Sequence, residues 1–306
     1  MGLARYGVVL AVVLSATGAA ATGVAAERPT EPAAILYSTA VSEDDECGSI
    51  WSVAPEGGAR ALLDVGFPAA CDPDWSPDAQ QIAFSAGPSS DKLRIYVADE
   101  TGRNAVAVSR PPAGTTDFMP AWSPDGKRIV FERRSRDRSA YNLFLVNPDG
   151  TNERQLTHGH GFDGTPWWSP DGRILFVSDR TPVRGRCRYC SALYVLRLTD
   201  GHVGRITRKR YNALMPAWSP DGVRIAWARA PSIDAPLALY TMRSDTRAVR
   251  RLDRDGESPA FSRDSHTIAY SSGRGLMLIG VDGSNRRQLT TDGGAGPSWR
   301  PVSAGP

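Results

Sequence analysis

Lysine is scarce in this chain of 306 residues: only Lys92, Lys127 and Lys209 stand among 36 basic residues, so nearly every positive charge is a guanidinium. Acidic residues number 33, and a formal net charge of +3 is too mild to imply a nucleic-acid partner. No Gly-x-Ser-x-Gly or His-Glu-x-x-His occurs, so the usual signposts of a serine hydrolase or zinc protease are missing. Beyond the first 26 residues no apolar run approaches the length of about 20 residues that spans a bilayer. That first stretch is itself short. Arg5, the apolar Val8 to Leu14 and the small residues Val24-Ala25-Ala26 before Glu27 read as a signal peptide over 1–26. The expectation is export, with a secreted or periplasmic protein that is soluble after cleavage.

What is abundant is repetition. DPDWSPDAQQIAF at 72–84, PAWSPDGKRIVF at 120–131, PWWSPDGRILF at 166–176 and PAWSPDGVRIAW at 216–227 are copies of one phrase. A worn copy, PAFSRDSHTIAY, occupies 259–270, and the stub PSWRP at 297–301 ends the series. The aromatic anchors Trp75, Trp122, Trp168, Trp218, Phe261 and Trp299 fall 47, 46, 50, 43 and 38 residues apart. A period near forty with strand-like content marks a propeller blade or a solenoid unit. Each phrase reads as strand, tight turn, strand: proline presets φ, and aspartate and glycine suit the turn. A second apolar run, such as LFLVN at 143–147, and a last strand ending RQLT at 154–157 complete four antiparallel strands. Residues 33–39 read as a second strand lacking a first, and PSWRP as a first strand lacking a second. Joined, they give an all-β, six-bladed β-propeller of four-stranded antiparallel blades, its ring closed by the C-terminal strand joining the N-terminal blade. The expected layout is a signal peptide at 1–26, a linker at 27–32, a propeller at 33–301 and a tail at 302–306.

The phrase resembles the hallmark of the TolB-like six-bladed β-propellers, over essentially all of 33–301. The resemblance implies the fold and says little of function, because propellers host unrelated activities. TolB itself carries an additional domain ahead of its propeller, and none is expected here.

Variable loops held by a rigid scaffold are where binding concentrates. In the blade scheme the Ser-Pro-Asp-Gly turns share one face with the turns before each last strand. The other loops and the blade crossings share the opposite face, and function is expected there. Arg133, Arg134, Arg136 and Arg138, then Arg184, Arg186 and Arg188, then Arg208, Lys209 and Arg210 form a basic sector of that face. Such a patch suits a protein or an acidic envelope polymer. His158, His160 and Asp163 in HGHGFDGTP, with Asp117, are candidates to converge at the channel mouth. They are not a closed metal-ligand set, so no metal or cofactor is expected. The Gly-x-Gly-x-x-Gly within the same segment joins two strands and fails the test of a dinucleotide loop. Among four cysteines, loop placement favours Cys47 with Cys71, leaving Cys187 with Cys190 as a local bridge. The functional expectation is a monomeric, non-enzymatic binding or interaction module. The alternatives are a propeller enzyme, such as a polysaccharide lyase with a His/Asp site, and a structural envelope component.

Overall fold

The computed structural model describes residues 35–39, 47–180, 190–207, 211–232, 235–291 and 293–301. Blade 1 contains β1 (Ile35–Thr39), β2 (Ser49–Val53) and β3 (Ala61–Leu63). Blade 2 holds β4 (Ala69–Trp75), β5 (Gln81–Gly87), β6 (Arg94–Asp99) and β7 (Val106–Ala107). Blade 3 follows with β8 (Thr116–Trp122), β9 (Ile129–Arg134), β10 (Ala140–Val146) and β11 (Arg154–Gln155). Blade 4 comprises β12 (Gly161–Trp168), β13 (Ile174–Ser178), β14 (Ala192–Leu196) and β15 (Val203–Arg205). Blade 5 is β16 (Asn212–Trp218), β17 (Arg224–Ala230), β18 (Ala238–Arg243) and β19 (Val249–Arg251). Blade 6 is β20 (Glu257–Phe261), β21 (Thr267–Ser272), β22 (Gly275–Gly280) and β23 (Arg287–Gln288). The last strand, β24 (Ala295–Trp299), pairs antiparallel with β1 and gives blade 1 the order β24-β1-β2-β3. The expected closure is what the chain does.

Six hydrophobic clusters fill the six interfaces between neighbouring blades. Trp75 joins Leu36 and Ile50 to Phe84, and Trp122 joins Ile95 and Val97 to Phe131. Trp168 joins Leu143 and Leu145 to Phe176, and Trp218 joins Leu175 and Leu193 to Ile225. Phe261 works in the same way between blades 5 and 6, and Trp299 lies against the cluster between blades 6 and 1. One aromatic per blade is therefore the key that fits the preceding blade's wall. The outer strands are only two or three residues long, which keeps each exposed edge too short to template pairing with another chain.

The turns are held by chemistry the phrase encodes. Ser76, Ser123, Ser169, Ser219 and Ser262 each donate to the aspartate two residues on, at 2.5–2.6 Å. Those aspartates titrate below their usual range. Where glycine has been lost from the turn, Ala79 and Ser265 still take φ near 60°.

A second regularity lies on the inner strands. The residue three before each anchor, Asp72, Met119, Thr165, Met215, Ser258 and Gly296, has φ between 48° and 56°. Each precedes a proline and sits at a register shift against the neighbouring strand. A left-handed residue in a bulge re-aims the strand. Here it does so six times around the ring.

Blades 3 and 4 are one sheet rather than two. The start of β12 pairs parallel with β10, Ala140 facing Gly161 and Tyr141 facing Phe162. Cys47 and Cys71 are bridged. Cys190 is disulfide-bonded as well, and Cys187 lies outside the described residues.

Candidate functional site

The join between blades 3 and 4 assembles the most distinctive loops of the crossing face. Gly161 N–H donates to Ser139 O at 3.2 Å, and Gly159 N–H to Asn142 Oδ1 at 3.1 Å. The loop carrying Arg136 and Arg138 is thereby stitched beside the crossing that carries His158 and His160, and all four side chains are exposed. Gly161 has no substitute: its φ is +119°, and a Cβ there would lie 2.6 Å from Asp179 Oδ1. The two histidines, Asp163, Asp179 and Arg180 line one cleft of about 310 Å³.

Asp163 is not free within it. Its carboxylate accepts from Ser178 Oγ at 2.6 Å and from Arg180 Nη2 at 2.7 Å. Asp117 does not join it. Asp117 is fully buried and takes both Nε (2.6 Å) and Nη2 (2.9 Å) of Arg133. Arg133 Nη1 reaches Glu153 at 2.9 Å, and its guanidinium lies over Phe144 at 4.3 Å. Burial pushes the Asp117 carboxyl up; desolvation acts against Arg133 too, but Asp117 and Glu153 hold it charged and above its ordinary range.

Arg133 and Arg134 correct the expectation of an exposed basic sector. Both belong to β9 and are buried at 8% and 7% exposure. Arg134 stacks over Phe118 at 4.9 Å. They extend the strand because partners on β8 receive them. Arg136 and Arg138 remain on the surface, while Arg184, Arg186, Arg188, Arg208, Lys209 and Arg210 lie outside the described residues. Among the described residues, the one group of potential metal ligands close enough together is Cys47, Cys71 and Asp72, and its two sulfurs are joined to each other.

Several buried acids have no counterpart among the residues singled out from the sequence. Asp74 accepts from Trp122 N–H at 2.8 Å and Ser298 Oγ at 3.0 Å, tying blades 1, 2 and 3 together. Burial lifts its carboxyl to about 6 against those bonds. Glu132 accepts from Thr165 N–H at 2.7 Å, linking blades 3 and 4. The signal for Asp74 was present: it fills the position before the anchor, where the other copies have Ala121, Trp167, Ala217, Ala260 and Ser298.

Glu257 is buried on β20, opposite Ser271, whose Oγ is likewise buried without a hydrogen bond. Burial and then the charge of Asp255 push the Glu257 carboxyl up to about 7. A carboxyl raised on folding leaves the native state binding more protons than the unfolded chain between the two pKa values. Stability from this group therefore falls as pH rises from about 4.5 to about 7. Glu257→Gln removes that cost above pH 7, on the order of 3 kcal/mol. The variant is expected to melt about 4–6 °C higher than the parent at pH 8 and level with it at pH 5. A variant that melts lower than the parent at pH 8 contradicts this account.

The sequence model of the TolB beta propeller domain (PD40) matches residues 56–303. An uncharacterized protein of Agrobacterium fabrum is 31% identical over 227 residues, 68% of this chain and 72% of that one. The Tol-Pal system protein TolB of Francisella tularensis subsp. mediasiatica is 30% identical over 241 residues, 75% of this chain and 54% of the relative. The crystal structure of TolB from Acinetobacter baumannii superposes with a TM-score of 0.74 at 21% identity, covering 88% of this chain and 67% of that one.

Proposed function

Since the chain belongs to the TolB β-propeller domain family, we propose that it is an exported binding module, periplasmic or secreted, whose crossing face recognises a protein or an anionic envelope polymer. One observation carries the reading: the parallel pairing of β10 with β12 sets the loop that carries the exposed Arg136 and Arg138 beside the crossing that carries the exposed His158 and His160, above buried and paired acids. A fixed scaffold under charged loops keeps the ordering cost of binding low. Arginine suits carboxylate or phosphate because its planar fork donates two parallel bonds. No helix among the described residues is long and apolar enough to cross a membrane. The chain spans about half the length of the Francisella TolB it resembles, so the partner is argued from this chain's own loops.

The test is capture from an envelope extract by the immobilised protein, followed by binding curves with the captured partner at low and moderate salt. Arg136→Ser with Arg138→Asn, the asparagine chosen because residue 138 has φ of 55°, is expected to weaken binding about fivefold at low salt. Its melting temperature should move by no more than about 2 °C, since both side chains are exposed. Binding that ignores both salt and the substitutions refutes the assignment of this patch.

A further inference from the structure

The turn face, opposite the loops just described, carries a cleft of about 320 Å³ between blades 4 and 5. Its floor is apolar: Trp218, Val195, Ile225 and Met242 reach it from the core cluster that joins the two blades. Arg173 leans across from blade 4 and lies over the Trp218 ring at 5.2 Å. The rim is strongly cationic, and most of it is neutralised from outside the cleft or along its edge. Arg173 pairs with Asp171 at 2.7 Å, Arg197 with Asp200 at 2.9 Å, and the one carboxylate in the lining, Asp245, with Arg243 at 2.8 Å. Arg205 and Arg247 are left over. Among the described residues neither meets a carboxylate, and Arg247 gives Nη1–H only to Ile206 O at 3.1 Å. Two uncompensated guanidinium groups therefore overlook an apolar floor, with His202 beside them.

We propose that this cleft binds a carboxylate carried on a flat apolar body of about the size of phenylacetate, independently of the crossing-face reading. The volume lies at the small end of ligand sites, where apolar walls and a few convergent polar groups set orientation. Field lines from the two free charges concentrate in a cleft with low-dielectric walls. The ring of the ligand meets the narrow strips of Trp218 and Val195 that reach the cleft beside Arg173, and the carboxylate takes the forks of Arg205 and Arg247. The same chemistry is offered by a free aryl carboxylate and by a polypeptide ending in phenylalanine.

The experiment is an NMR titration of the ¹⁵N-labelled protein, following the Trp218 indole N–H and the Gly204 and Gly222 amides. Phenylacetate is expected to shift these signals saturably, and benzyl alcohol, the neutral counterpart, to bind at least about fivefold more weakly. Arg205→Ser with Arg247→Asn should weaken phenylacetate by a similar factor without moving the melting temperature; asparagine again suits a left-handed backbone. A tripeptide with a free C-terminal phenylalanine identifies the source: tighter binding than phenylacetate points to a polypeptide end, weaker binding to a free small molecule. Several outcomes overturn the proposal: no saturable shift at these signals, benzyl alcohol or the double variant performing as well, or inorganic phosphate binding as tightly as phenylacetate.

Discussion

A chain ending at residue 296 is expected not to fold into a closed propeller at all. β24 is the inner strand of blade 1, and cutting it after Gly296 strips β1 of Ser298 and Trp299, the partners of Leu36 and Ile35. It also cuts the ring on both sides. Trp299 donates its indole N–H to Ala260 O of blade 6 at 3.1 Å and packs against the cluster between blades 6 and 1. On the other side Ser298 Oγ accepts from Trp75 N–H at 3.2 Å and donates to Asp74 at 3.0 Å, while Arg300 lies over the Trp75 ring at 4.9 Å. Asp74, already costly to ionise where it sits, would lose one of its donors. These losses fall on a fold whose total margin is on the order of 5–15 kcal/mol, so the truncated chain should show no cooperative thermal transition above room temperature. Trp299→Ala, which keeps the strand and removes only the key, should cost about 3–5 kcal/mol and lower the melting point by roughly 6–12 °C. Calorimetry on the three proteins decides the matter. A truncated chain that melts with the parent would mean that the ring is not held shut by its last strand.

That closure was legible because it needs only the alternation of apolar residues and the position of one aromatic. Both are local patterns repeated often enough to expose a missing strand at one end and a spare strand at the other. The Cys47–Cys71 bridge was legible for the same reason, since the blade scheme alone brings the two loops to one face. The arginines following β9's apolar residues were not. By composition Arg133-Arg134-Ser135-Arg136 looks like a solvated loop, and only half of it is one. What separates Arg134 from Arg136 is the presence of Phe118 and Asp117 on β8, fifteen residues or so upstream, and no local pattern encodes that meeting. The left-handed residue before each inner-strand proline is not legible either, because a residue before proline favours the extended region. The neighbouring strands impose the bulge, and the proline that follows tolerates it. The fusion of blades 3 and 4 depends on β12 starting as early as Gly161, which in turn depends on a glycine fitting against Asp179. The His-Gly-His-Gly segment drew attention for its histidines, yet it is the second glycine that builds the site.

Arg133 is where the corrected reading has its sharpest consequence. Arg133→Ala would leave Asp117 fully buried and Glu153 largely buried with no cation between them. Breaking a buried pair from one side typically costs about 3–5 kcal/mol, because the surviving charge is stranded. The expected fall in melting temperature at pH 8 is roughly 6–12 °C, far beyond what an exposed arginine produces. The pH dependence separates a stranded charge from a mere loss of packing over Phe144. Without Arg133 the folded-state pKa of Asp117 rises further above its unfolded value, so the penalty is complete above that raised value and fades as pH falls and the carboxyl takes up a proton. The gap between variant and parent should thus be wide at pH 8 and much narrower at pH 5. Arg133→Leu combined with Asp117→Leu removes both charges and should recover most of the loss at pH 8, with Glu153 turning its partly exposed carboxylate to water. A gap that is flat from pH 5 to pH 8, or a double variant as unstable as the single one, would show that Arg133 serves the fold through its hydrocarbon stem rather than its charge. Either result keeps Arg133 out of the binding face. Substitutions meant to probe recognition therefore belong at Arg136 and Arg138, three and five residues further along the same segment, where the strand has ended and the loop meets water.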